Sequence, residues 1–145
     1  MIVALIAAIL AAVAPAEASH LAEQPKKHKV VYHLHEPSLD KVRFVLGNIQ
    51  NHIEGVGGMK NIEAIELVVH GPALRNFIAR DMNPDIKRAL DELKSEGVGV
   101  GFCGNTMKAF SITLEQLPAG TKALPQGGVV RVMELVEQGY IYIRP

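Results

Sequence analysis

The sequence predicts an α/β fold, a mostly parallel sheet of about five strands with helices on both faces. Two observations carry it. Short β-branched runs alternate with amphipathic helical stretches along the chain. The strand segments are apolar at consecutive positions, as in Val30-Val31 and Leu67-Val68-Val69, which is how strands covered on both faces read. The length of 145 residues suits one domain, and 48% hydrophobic with 21% charged residues fits a soluble globular protein.

Each element has its own signal. Val30 to His35 is β-branched and follows a basic cluster, and it reads as the first strand. Ser38 caps the next helix, Asp40 sits in its first turn, and Val42, Val45, Leu46, Ile49 and Ile53 mark one buried face. Gly55 to Gly58 stops it. Ile62 to Val69 is the second strand, running into His70-Gly71-Pro72. Pro72 opens a short helix through Ala79 and Arg80. Asn83 caps another helix with Pro84 at its first position, Ile86, Leu90 and Leu93 on one face, and Gly97 as its end. Val98 to Phe102 is the third strand, and Gly104 to about Phe110 a helix. Lys122 to Leu124 is a short strand, Val129 to Val136 has helical spacing, and Tyr140 to Ile143 closes the chain as a strand.

The N-terminus is a different kind of segment. Ile2 to Val13 is an apolar run followed by Ala16-Glu17-Ala18, which reads as a secretory signal peptide cleaved after Ala18. The run is well short of the roughly 20 residues that span a bilayer. It lacks the usual Lys or Arg before the apolar stretch. The expected organisation is a signal peptide over 1–18, a flexible lead-in over 19–28 and the folded domain over 29–145, with a periplasmic or secreted product that has no membrane span. Fifteen basic residues balance fifteen acidic ones, and there is no tryptophan. That excludes the basic field a nucleic-acid or anionic-membrane partner needs.

Cys103 is the only cysteine, so it has no intramolecular partner. It falls where the third strand runs into a helix, a place where unpaired N–H groups favour thiolate over thiol. The alternative is a small buried hydrophobe. In a parallel sheet, ligands bind at the carboxyl ends of the strands. That rule gathers His33, His35, His70 and Cys103 along one edge. His70 is the best candidate for a proton-handling partner of the thiol. The same residues would also make an admissible zinc or copper set, although their spacing matches no ligand motif. A dithiol cycle is excluded by the single cysteine, and a protease-like Cys-His-Asn arrangement with Asn105 has no arguable cleft. Gly97, Gly99 and Gly101 leave one face of the third strand nearly bare but make no phosphate loop, and no cofactor is expected.

Val30-Val31-Tyr32-His33-Leu34, Asn48-Ile49-Gln50-Asn51-His52, Val68-Val69-His70-Gly71-Pro72, Cys103-Gly104-Asn105-Thr106-Met107 and the ending Gly139-Tyr140-Ile141-Tyr142-Ile143-Arg144-Pro145 together resemble the DsrE/DsrF-like proteins. The resemblance runs from about Lys29 to Pro145. It implies a flavodoxin-like three-layer sandwich, assembly as a homotrimer or homohexamer, and a sulfurtransferase-like sulfur carrier whose cysteine, here Cys103, holds a persulfide. Its partners would be sulfur donor and acceptor proteins or small sulfane-sulfur compounds. Asn105 and Thr106 would orient the sulfur, and His70 would assist proton movement. Such sulfur-relay proteins are generally cytoplasmic, so an exported member departs from the pattern. The rival readings are a non-catalytic oligomeric binding or scaffold protein with an inert cysteine and, more weakly, a metal-binding protein.

Overall fold

The computed structural model describes residues 26–145. The signal-peptide segment 1–18 and most of the lead-in lie outside the described residues. Five strands, β1 (His28–Leu34), β2 (Ile62–Val69), β3 (Gly99–Cys103), β4 (Lys122–Leu124) and β5 (Ile141–Ile143), form one sheet in the order β4-β3-β2-β1-β5. Every pairing is parallel. The helices are α1 (Leu39–Gly55), α2 (Pro84–Ser95), α3 (Gly104–Phe110) and α4 (Gly128–Glu137). This is the expected flavodoxin-like α/β sandwich, and none of its strands is antiparallel.

The caps are those that the residue types require. The Ser38 side chain accepts from the Lys41 N–H at the start of α1, and Asn83 accepts from Asp85 N–H with Pro84 following at the start of α2. The stretch opened by Pro72 differs from expectation. It is not one helix but two 3₁₀ segments, Gly71–Phe77 and Ala79–Asp81, separated by Ile78 in an extended conformation. A 3₁₀ turn puts side chains three apart on one line, and here that line buries Leu74 and Phe77 together.

The two faces of the sheet are unequal. One carries the main core, in which Val30, Leu34, Leu67, Val69, Val100 and Phe102 pack against α1, α2 and α3. The other is covered by α4 and holds a small cluster of Val31, Val68, Leu124 and Leu135. A bidentate ion pair helps to fasten α4, because Arg131 Nε and Nη2 each donate at 2.8 Å to the two carboxylate oxygens of Glu66 on β2. Such fork-to-fork pairs add orientation as well as energy. Leu124 folds over β3 at Gly101, where an added Cβ would lie 2.8 Å from a Leu124 methyl. This contact explains why Gly101 carries no side chain.

Because Leu135 is the only fully buried α4 side chain in that small cluster, Leu135→Ala is predicted to destabilise the protein by about 2–5 kcal/mol, measured by denaturant unfolding. A loss within error of zero would show that α4 is held by its polar contacts instead.

Candidate functional site

The parallel register delivers the candidate residues to one edge. Leu34 pairs with Val69 and Val69 with Phe102, so the next positions, His35, His70 and Cys103, lie side by side at the carboxyl ends of β1, β2 and β3. His70 is held there by its own N–H, which donates to the Leu34 carbonyl at 3.0 Å. The strand order reverses at β1, with β2 on one side and β5 on the other, which is where open α/β sheets bind ligands.

Cys103 ends β3 and occupies the N-cap position of α3, with φ −58° and ψ 116°. It is 5% exposed. Burial alone pushes its thiol up. The Thr106 hydroxyl and the backbone N–H groups of Gly128, Thr106 and Asn105 outweigh that effect, and the thiol is brought below its ordinary value. Thr106 is set up as a donor: its oxygen already accepts from Gly71 N–H at 2.9 Å, which frees its hydrogen for the sulfur. Asn105 acts on the sulfur through its backbone, while its side chain is exposed and packs over Gly127.

Gly128 makes this arrangement possible. A Cβ there would lie 2.9 Å from His70 Cβ, 3.2 Å from Cys103 Cβ and 3.4 Å from a Val68 methyl. The first residue of α4 therefore rests directly on the site, and its backbone N–H is among the groups that lower the thiol. Gly104 is equally confined, with an added Cβ 2.8 Å from the Leu124 carbonyl oxygen. Gly128 is a site residue that the sequence alone does not single out. The available signal was the Gly127-Gly128 pair opening a helical stretch immediately after a short strand.

The histidines form a stack. His70 stacks on His33 with ring centroids 4.7 Å apart and on His35 at 5.4 Å. His33 Nε2 lies 2.7 Å from His70 Nδ1, and His33 Nδ1 lies 2.9 Å from the Tyr142 hydroxyl. Arg144 donates to His35 Nε2 at 3.0 Å and to Glu36 at 3.3 Å. Burial, then the positive charges of His70, His35 and Arg144, lower His33 to about 4. Burial, His35 and Arg144 also lower His70. Among the described residues, no hydrogen bond joins the His70 ring to the Cys103 sulfur; the two meet through their shared contact with Gly128. Among the described residues no group of three His, Cys, Asp or Glu side chains is arranged to hold an ion. The ring nitrogens bond to one another, to Tyr142 and to Arg144. Tyr142 and Arg144 are further members of the site, and the only sequence signal for them was the Tyr-Ile-Arg-Pro ending.

This geometry belongs to a class of small α/β proteins with a single cysteine at the edge of a parallel sheet. The DsrE/DsrF-like family model matches residues 50–145, and the chain belongs to that family. Members of the family are commonly linked to sulfur relay. The fold is similar to that of the protein of unknown function MTH1491 from Methanobacterium thermoautotrophicum, with a TM-score of 0.72 and 24% identity over 82% of this chain and 100% of that one. It is also similar to the YchN protein of E. coli, with a TM-score of 0.67 and 16% identity over 81% of this chain and 99% of that one. No curated protein matches this sequence.

Gly128→Ala is predicted to push α4 outward, lowering stability by about 1–3 kcal/mol and raising the Cys103 thiol. The expected readout is slower alkylation at neutral pH with iodoacetamide, and an unchanged alkylation rate would contradict it. A second prediction concerns acid. The lowered His33 value means that the unfolded chain binds a proton below about 6.5 that the folded chain refuses until about 4. Stability is therefore complete above that window and falls as pH drops through it. His33→Gln is expected to make this fall shallower in urea titrations between these pH values, and an equally steep fall in both proteins would refute it.

Proposed function

We propose that this chain is a sulfur carrier that holds a sulfane sulfur on Cys103 as a persulfide. The observation that carries the reading is a lone thiol lowered by four hydrogen-bond donors at the strand edge of a DsrE/DsrF-like domain. A thiolate is the nucleophile that attacks a donor's sulfur–sulfur bond. The same N–H and O–H donors stabilise the terminal sulfur anion once it is bound. Thr106 and the Asn105 backbone orient the sulfur, and His70 handles protons at the mouth of the site. The apolar run before Ala18 supports export and cleavage, so that the carrier works in the periplasm or outside the cell with sulfur donors and acceptors found there.

Self-association fits the surface. Val129, Met133 and Val136 lie four and three residues apart on α4 and are between 45% and 64% exposed, an apolar stripe along the outer side of that helix. Covering that side with further copies would give the homotrimer or homohexamer that the family resemblance implies. The rival reading, a non-catalytic oligomeric scaffold, is favoured by one observation, the near-complete burial of Cys103.

Intact mass spectrometry separates these readings. Protein recovered from its native compartment and treated with sodium polysulfide is expected to gain sulfur on the wild type and none on Cys103→Ser. Its mass is also expected to lack residues 1–18. An unmodified wild type, or equal gain on both proteins, would exclude the carrier. A full-length mass would exclude cleavage. In size-exclusion chromatography with light scattering the same preparation is expected to exceed the monomer mass, and a monomer would contradict assembly.

A further inference from the structure

We propose that Tyr142, His33 and His70 form a reversible proton wire that connects the Cys103 site with solvent. This inference rests on the sulfur-carrier reading for its chemistry and on the hydrogen-bond geometry for its existence. His33 is bonded at both ring nitrogens, to the Tyr142 hydroxyl at 2.9 Å and to His70 Nδ1 at 2.7 Å. A neutral imidazole has one N–H and one lone pair, so a His33 with both nitrogens engaged must donate on one side and accept on the other. A phenol hydroxyl is a good donor to an imidazole lone pair. In the resting arrangement Tyr142 donates to His33 Nδ1, His33 Nε2–H donates to His70 Nδ1, and His70 carries its own hydrogen on Nε2.

The wire can also run the other way. Tyrosine oxygen accepts as well as donates, so a protonated His70 can donate from Nδ1 to His33 Nε2 while His33 Nδ1–H donates to Tyr142. Neither direction leaves a ring nitrogen of His33 unpaired. The far end is wet, because Tyr142 is 45% exposed on the edge strand β5. The near end is the site, because His70 Cβ and Cys103 Cβ close on the same point of Gly128. The charged and titratable groups facing the wire are His35 and Arg144, with Glu36 paired to Arg144, and Cys103 beside His70. Burial, and the Arg144 charge beside it, disfavour a lasting positive charge on His33, so it works as a neutral link.

The transfer step balances. The Cys103 thiolate attacks the outer sulfur of a donor persulfide or polysulfide, the donor's sulfur–sulfur bond breaks, and a new one forms on Cys103. The donor's inner sulfur leaves with the electron pair and takes the Nε2 proton of His70. His70 Nδ1 then takes the proton of His33 Nε2, His33 Nδ1 takes that of Tyr142, and the phenolate takes one from water. No net oxidation occurs. His70 is the inner end of the wire, since its Cβ and the Cys103 Cβ share the contact at Gly128; His33 and Tyr142 act through it.

The test is the rate of sulfur uptake from sodium polysulfide by the full chain, followed by mass as a function of pH in light and heavy water. Tyr142→Phe keeps the ring and removes the hydroxyl. His33→Gln keeps a donor near His70 but cannot pass a proton. Both are expected to slow uptake about tenfold at neutral pH, less than general acid catalysis usually supplies because a thiolate leaves readily without help. Both are also expected to lose the solvent isotope effect, with the Cys103 alkylation rate unchanged. Wild-type rate and isotope effect in His33→Gln would overturn the wire. Failure of the wild type to take up any sulfur overturns the carrier reading instead, and in that case nitrogen NMR of the imidazoles still tests the wire. A proton on His33 Nε2 with coupling across to His70 Nδ1 supports it, and a missing coupling overturns it.

Discussion

The contact of Gly128 with His70, Cys103 and Val68 is the constraint on which the site depends. Only a residue without a side chain lets α4 begin 3.2 Å from Cys103 Cβ, measured to the position that a Cβ would take. That approach brings the Gly128 N–H, from the layer opposite α3, among the groups that lower the thiol, so both covering layers act on it. The glycine also fixes where α4 can lie on the sheet. Leu135 then falls into the cluster of Val31, Val68 and Leu124, and Arg131 reaches Glu66 on β2. The packing of the thinner face and the chemistry of the edge are therefore one structural fact.

The electrostatics follow the same economy. No basic side chain lies among the groups that lower the thiol, which are neutral hydrogen-bond donors: one hydroxyl and three backbone N–H groups. Fixed dipoles of this kind cost no reorganisation when charge develops on sulfur. His33 and His70 beside them are held neutral by burial and by the neighbouring positive charge, and Arg144 is partly balanced by Glu36. A site with an anion on sulfur and neutral imidazoles nearby can exchange protons without building a net charge in a half-buried space.

Much of the fold was legible in the residues. β2 and β4 have the bounds expected from the sequence, and α1 and α2 start after Ser38 and Asn83 because those side chains satisfy N–H groups that nothing else would bond. The stretch after Pro72 was read as a helix because proline marks a start without saying how tightly the following turns wind. Tertiary burial of Leu74 and Phe77 decided that. Cys103 and His70 could be placed together from the sequence because the strands of a parallel sheet end along one edge, whereas Asn105 and Thr106 entered only through the family resemblance. Gly128, Tyr142 and Arg144 were not legible. Their roles depend on which layer crosses the β3 edge and on β5 pairing with β1, and no local pattern encodes either.

Cys103 is the only cysteine, so thiolate absorbance in the ultraviolet reports a single group. A pH titration of that absorbance in the folded wild-type protein tests the central claim most directly. A midpoint below the ordinary thiol value of 9.0 is predicted, because the donors from α3 and α4 outweigh burial. A midpoint at or above 9.0 would show that burial wins and that Cys103 is an inert part of the core.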